Sequence, residues 1–250
     1  MFNYLTWNDM EKKSLVFRFF ALALAIACSL GANAYDFVSG GVYYNITGTN
    51  TVEVTTNNPD GFSYFSPVTV PSTVTYGSKT YTVTRVGKNA FRLCQIVTSV
   101  DLPPTITEID TSAFYGTQSL KRIIIPEGVR RIARYNFYEN DSLTTVVLPS
   151  ALQNIEDMCF YRCPKLSSVT CLATVPPYTD GTFFGLLSSC VLFVPMNSVD
   201  TYSVANDWKK FTDIRSIFIT SMKPGDMNED GNVNVADVAS LINYLLNDQK

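Results

Sequence analysis

Residues 226–237 read Asp-Met-Asn-Glu-Asp-Gly-Asn-Val-Asn-Val-Ala-Asp, with an oxygen-bearing side chain at every second position from Asp226 to Asn234. Asp226, Asn228 and Asp230 occupy positions 1, 3 and 5 of a twelve-residue loop, and Gly231 at position 6 permits the sharp turn. Asn232 at position 7 offers its backbone carbonyl, Asn234 stands at position 9, and Asp237 closes the shell at position 12, where Glu is usual. A hard cation needs many oxygens at short range, and this spacing converges them, so calcium is the expected cofactor. Other chemistry is narrowed by composition. The chain has no histidine, which removes Ser-His-Asp and Cys-His centres and imidazole-based zinc sites. No phosphate-binding glycine loop of the usual spacing occurs. Glu156-Asp157 and Glu139/Asp141 are carboxylates on a repeat surface with no cleft expected around them. Catalysis by paired carboxylates requires a pocket between them, so no enzyme activity is expected.

Past the loop, Val238, Leu241, Ile242 and Leu245 follow helical spacing. A calcium loop followed by a helix, with Asp at position 12, resembles a type I dockerin repeat over residues 225–246. The resemblance implies a calcium-organised helix that docks onto a cohesin-like domain. Two departures stand against conventional docking. The family carries two such repeats and one is seen here, and Val235 and Ala236 stand where small polar residues are usual. Pairing with another copy, packing on the end of the preceding domain, and truncation all stay open.

The charge pattern sets this tail apart. Residues 223–250 hold five of the 22 acids and two of the 19 bases, which leaves 17 of each sign on the other residues. The net charge of −3 gives no general reason to bind nucleic acid. Charged residues make up 16% of the chain, and Phe (16) and Tyr (14) are abundant, a mixture suited to an exported β-rich protein.

An export signal is expected over residues 1–34. Met10 is the preferred start, Lys12, Lys13 and Arg18 form a basic region, Phe19 to Leu30 is apolar, and Ala32-Asn33-Ala34 is a cleavage site. The apolar run is short for a membrane span, so no transmembrane segment is expected in the mature chain. A lipid anchor at Cys28 is the competing reading; it lacks the usual Leu three residues before the cysteine. Either route places the protein outside the cytoplasm, secreted or on the cell surface.

What positions everything else is a repeat. Phe91, Phe114, Phe137, Phe160 and Phe183 are each 23 residues apart. Apolar residues recur in phase with them: Val86, Ile109, Ile132 and Ile155 five before, Val97, Leu120, Leu143 and Leu166 six after, Val100, Ile123, Val146 and Val169 nine after. Pro103, Pro126 and Pro149 recur twelve after. A unit this short cannot bury its own apolar side, whereas stacked units bury a continuous one. The stretch Leu120 to Ile125 reads as a strand ended by Pro126. Such strands should form one parallel sheet, with the Phe of each unit across the coil from it.

The segments VGKNAF, IDTSAFYGTQSLKRIIIPEGVRRI and FYRCPKLSSVTCLATVPP resemble the BspA-type leucine-rich repeats of bacterial surface proteins, over about residues 36–220. The expected fold is thus an α/β leucine-rich-repeat solenoid, β-rich, with an N-terminal β cap and a short C-terminal calcium-loop-helix module. The expected boundaries are 35–84 for the cap, 85–195 for the repeats, 196–222 for a C-terminal cap and 223–250 for the calcium module. Val70-Pro71 matches the strand-proline signal with a nine-residue insertion before Phe91. Asp110 and Ala133 replace the Gly usual before the Ala-Phe step. Ser198 is the expected N-cap of a helix through Tyr202, Ala205 and Trp208. Cys94 and Cys163 share a phase three coils apart, about 14 Å at the spacing of strands. That is beyond a disulfide, so they read as small buried residues; Cys159, Cys171 and Cys190 are left open.

Strand parity turns two columns outward: Ser99, Arg122, Thr145 and Ser168, and beside them Asp101, Ile124, Val147 and Thr170. They are the candidate face for a protein or host-surface partner, with Ile124 beside Val147 as its apolar centre; simple strand propensity is the alternative. Lys121, Arg122, Arg130, Arg131 and Arg134 read as a charge-mixed face. The expected function is non-catalytic surface binding of the adhesion type. The second reading is a structural component of an extracellular polysaccharide-degrading assembly held by its tail.

Overall fold

The computed structural model describes residues 34–217 apart from 59, 60, 66, 184 and 186–188. The export signal and the calcium module lie outside the described residues. Strands β1 (Phe37–Ser39), β2 (Val42–Ile46) and β3 (Thr51–Thr55) form an antiparallel meander. There follow β4 (Val68–Thr69), β5 (Thr73–Tyr76), β6 (Lys79–Val86), β7 (Val100–Asp101), β8 (Glu108–Ile109), β9 (Arg122–Ile124), β10 (Arg131–Ile132), β11 (Thr145–Leu148), β12 (Asn154–Ile155), β13 (Ser168–Cys171), β14 (Tyr178–Thr179) and β15 (Val191–Pro195). Helix α1 (Val199–Val204) and β16 (Asp213–Ile217) complete the described chain.

Each coil contributes two strands, not the single one expected. The first sheet runs β1-β2-β3-β6-β8-β10-β12-β14, with β5 hairpinned onto β6, and the second runs β16-β15-β13-β11-β9. The second sheet holds the strands that end at Pro126 and Pro149, whereas β4, before Pro71, and β7, before Pro103, pair with each other in a third, two-stranded parallel sheet. The first is built at the phase of Val86, Ile109, Ile132 and Ile155, where most strands are only two residues long. Pairing is parallel and in register: Ile132 lies beside Ile109 and Ile155, and Val146 beside Ile123 and Val169. The β5–β6 hairpin lies in the insertion that separates Pro71 from Phe91.

Between the two strands of a coil the chain turns around its phenylalanine. Positive φ recurs two residues before each Phe (Asn89, Ser112, Tyr135, Met158, Gly181) and two after (Leu93, Gly116, Glu139, Arg162, Gly185). A side-chain-bearing residue in that region costs about 1–2 kcal/mol, and burial of the enclosed ring offsets it. The rings form a continuous stack. Phe91–Phe114, Phe114–Phe137, Phe137–Phe160 and Phe160–Phe183 have centroids 5.0, 5.4, 5.3 and 5.6 Å apart. Tyr64 closes the stack at 4.8 Å from Phe91, and Trp208 closes it at 4.9 Å from Phe183.

Small polar side chains beside the stack tie each coil to the one before. Thr117 Oγ1 donates to Phe91 O, Cys163 Sγ to Phe137 O and Cys159 Sγ to Ala133 O. All five cysteines of the described chain are free and buried, including Cys159, Cys171 and Cys190. Gly87 is the one member of its phase that must stay small, because an added Cβ would lie 2.9 Å from Val54 O. Asp110 and Ala133 fill the equivalent place in later coils.

The C-terminal cap differs from expectation in two respects. Ser198 makes no capping bond; its Oγ donates to Thr174 O at 2.9 Å instead. The helix ends at Val204, and Trp208 sits on a separate 3-10 turn, its Nε1 donating to Pro177 O at 2.8 Å. Strand β16 then extends the second sheet past β15, so the solenoid end is closed by a helix and a strand together.

Candidate functional site

Six of the eight residues of the expected partner face lie on the outside of the second sheet; Asp101 stands on β7, which pairs with β4 in a separate two-stranded sheet, and Ser99 precedes it. Arg122, Thr145 and Ser168 are adjacent rungs of one column, and Ile124, Val147 and Thr170 of the next. Asp101 and Arg122 are exposed, and Ser99, Ile124, Thr145 and Ser168 are half-buried. Val147 and Thr170 depart from expectation, at 2% and 0% exposure. They stand at the middle of their column, with Ile124 on one side and Phe193 beyond Thr170 on the other. Thr145 and Ser168 also have a rung on each side and stay half-buried, so strand neighbours alone do not account for the burial of this column. Thr170 Oγ1 is buried without a hydrogen-bond partner. The columns run on through Val191 and Asp213, and through Phe193 and Arg215. The strand-proline signal at Pro195 marks this continuation in the sequence.

The outside of the first sheet is a charged ladder. Arg85 Nη2 lies 2.7 Å from Asp110 Oδ2, with Glu108 at 3.4 Å and Glu53 at 3.5 Å. Burial works against ionisation of Asp110, but the Thr111 N–H and the Arg85 guanidinium outweigh it and hold the carboxyl below its ordinary range. Further along, Arg131 pairs with Glu156, whose other oxygen accepts the Arg134 N–H at 2.9 Å. Arg134 Nε lies 3.4 Å from Asp157. The basic group read from the sequence is therefore divided: Arg122 lies on the second sheet and Arg131 on the first.

A cleft of about 560 Å³ opens at the far end of this ladder, where none was expected, and Glu156 and Asp157 line it with Asn154, Tyr178, Asp180 and Arg134. Both Glu156 and Asp157 are committed to arginines. A column of tyrosines on the turn side was also missed: Tyr115–Tyr138 and Tyr138–Tyr161 have centroids 5.1 and 5.2 Å apart. Each follows its repeat phenylalanine by one residue, a spacing that would have revealed it.

Asp226, Asn228, Asp230, Asn232, Asn234 and Asp237 lie outside the described residues. As a donor set they are all oxygen, the chemistry calcium takes. Among the described residues no group of three or more His, Cys, Asp or Glu side chains is placed to hold a metal ion, and no helix is long and apolar enough to cross a membrane.

Residues 67–188 match the BspA type leucine rich repeat region, in six copies, and residues 224–250 match the dockerin type I domain. No curated protein matches the chain. Among solved structures, a leucine-rich-repeat protein of Treponema pallidum superposes with a TM-score of 0.55 at 20% identity, covering 83% of this chain and 95% of that one. That likeness shows the fold. A leucine-rich cell surface protein of Faecalibacterium prausnitzii is 27% identical, with a TM-score of 0.49, over 65% of this chain. The match covers 43% of the Faecalibacterium protein.

Proposed function

We propose that this chain, which carries a BspA type leucine-rich repeat region at residues 67–188 and a dockerin type I domain at residues 224–250, is an exported, non-catalytic binding protein of the adhesion type. Both families are typically binding modules found outside the cell or on its surface. The observation that carries the reading is the outer face of the second sheet. Its five parallel strands hold outward side chains in fixed register, from Arg122 and Ile124 to Asp213 and Arg215. An extended rigid sheet of this kind presents mixed polar and apolar groups to a protein partner without an ordering cost. Ile124, half-buried beside Val147, is its apolar anchor. The tail binds calcium through Asp226, Asn228, Asp230, Asn232, Asn234 and Asp237, which folds the loop and orders the helix after it. That module gives the chain a second protein contact.

The test is retention of a surface-fraction partner by the full chain, by Ile124→Glu and by Asp226→Ala/Asp230→Ala, each with calcium and with chelator. Loss with Ile124→Glu alone supports the sheet as the contact. Equal retention by Ile124→Glu and wild type removes this face. Calorimetric calcium uptake by wild type and none by the double variant supports the loop; equal uptake refutes it.

A further inference from the structure

Burial on the outer face of the second sheet is out of step with its strands. Val147 and Thr170 turn away from the core at 2% and 0% exposure, while Thr145 and Ser168, one column over and equally flanked, are half-buried. Ile217 stands in register with Pro195, on the outward parity of β15, and belongs to β16, the last strand of the sheet. Such a strand has a neighbour on one side only among the described residues, yet Ile217 is 2% exposed. Val147 and Ile217 are both buried apart from the continuous core. Thr170 Oγ1 is closed off with them and has no hydrogen-bond partner, which is unfavourable unless a polar group reaches it. Helix α1 does not supply the cover, because it lies on the core side, where the Tyr202 O–H donates to Cys171 Sγ at 3.1 Å.

A cover for this face has to be apolar and has to start close by. The chain itself meets both conditions. It leaves β16 at Ile217, on the same face, with residues 218–250 still to follow. Val238, Leu241, Ile242 and Leu245 form an apolar stripe at helical spacing, too short to hold a helix without a surface to pack on. Val238 to Leu245 would span about 10 Å of helix, and Val147, Thr170 and Phe193, on successive strands, span about 10 Å across the sheet. Residues 218–225 reach up to about 26 Å when extended, beyond the roughly 19 Å between β16 and β9. We infer that the tail lies across the outer face of the second sheet, with its apolar stripe packed on Val147, Thr170 and Phe193. The tail then competes with a partner for that face, and its release frees the sheet and the calcium module together. The competition rests on the face proposed above; the docking does not.

The probe is iodoacetamide on the full chain carrying Thr170→Cys, a change of nearly equal volume, with labelled sites located by peptide mass. The five cysteines of the described chain are buried and should stay unlabelled. Thr145→Cys, half-buried one column over, is the reference position. Thr170→Cys should label about tenfold more slowly than Thr145→Cys, or slower still. Adding Leu241→Glu/Leu245→Glu should bring the two positions to similar rates, with the native cysteines still protected, which shows the solenoid intact. Fast labelling of Thr170→Cys with the tail unaltered would overturn the docking, and so would slow labelling that persists in the double-Glu variant. Partner retention is read beside it. If the double-Glu variant labels fast yet retains no more surface-fraction partner than wild type, the docking stands and the competition falls. If Thr170→Cys labels fast while Ile124→Glu loses the partner, the docking falls and the partner face stands.

Discussion

Truncating Phe137 tests the stacked core directly. Its side chain is fully buried and lies between Phe114, at 5.4 Å and 11°, and Phe160, at 5.3 Å and 5°. Removing a buried phenylalanine costs about 3–5 kcal/mol through lost transfer energy and the cavity left behind. Two ring pairs are lost with it, each worth about 0.5–1.5 kcal/mol. The neighbouring turns hold Tyr135 and Glu139 at positive φ and are anchored by this ring, so they can collapse only partly. Phe137→Ala should therefore destabilise by about 4–5 kcal/mol, much of the usual stability of a domain. Phe137→Leu keeps most of the volume and loses the ring pairs, for about 1–2 kcal/mol. The assay is urea unfolding followed by far-ultraviolet circular dichroism and by tryptophan fluorescence, in which Trp208 reports from the C-terminal end of the stack. Both probes should shift together if the coils unfold as one cooperative unit. A loss below about 1 kcal/mol for Phe137→Ala would refute the reasoning, because it would mean the ring column does not carry the core.

Three other outcomes are expected. The buried thiols should resist a thiol reagent at pH 8 in the native state and react only on unfolding; burial pushes Cys163 up to about 12 and Cys171 up to about 11. Rapid native labelling of either would contradict the packing. Asp110 has a lowered folded-state pKa, so its contribution is present above the unfolded value near 3.9 and is lost as pH falls below it. Asp110→Asn should flatten the acid limb of a stability–pH curve and leave the region above pH 7 without slope change; an unaltered acid limb would dismiss the Arg85 pairing as a stabilising contact. Gly87→Ala should cost about 1–3 kcal/mol by overpacking, because its Cβ would meet Val54 O at 2.9 Å and the Glu53 carboxyl carbon at 2.8 Å; a neutral substitution, read by urea midpoint, would show that β3 can move away.

Much of this architecture is legible in the residues because it is periodic. The 23-residue recurrence of Phe, aliphatic and Pro positions fixes a stacked coil, a proline-terminated strand and a buried ring column. The dodecapeptide from Asp226 to Asp237 declares its own ligand chemistry by spacing alone, whatever surrounds it. Other features depend on which coil lies beside which. Glu108–Ile109 and Arg131–Ile132 are too short to show alternation, so the continuation of the first sheet beyond β6 had no strand signature and became visible only as a ladder between coils. Val147 and Thr170 alternate outward as expected, yet they are buried while Thr145 and Ser168 in the next column are not, a difference that alternation along a strand does not carry. The Asn154–Tyr178 rung is harder still, because β12 to β14 steps by 24 residues where earlier coils step by 23, which hides the correspondence from a fixed period. Local pattern records what each residue does along its own strand. Charge pairing, burial and the cleft arise between residues about one coil apart, where register and insertion decide which side chains meet.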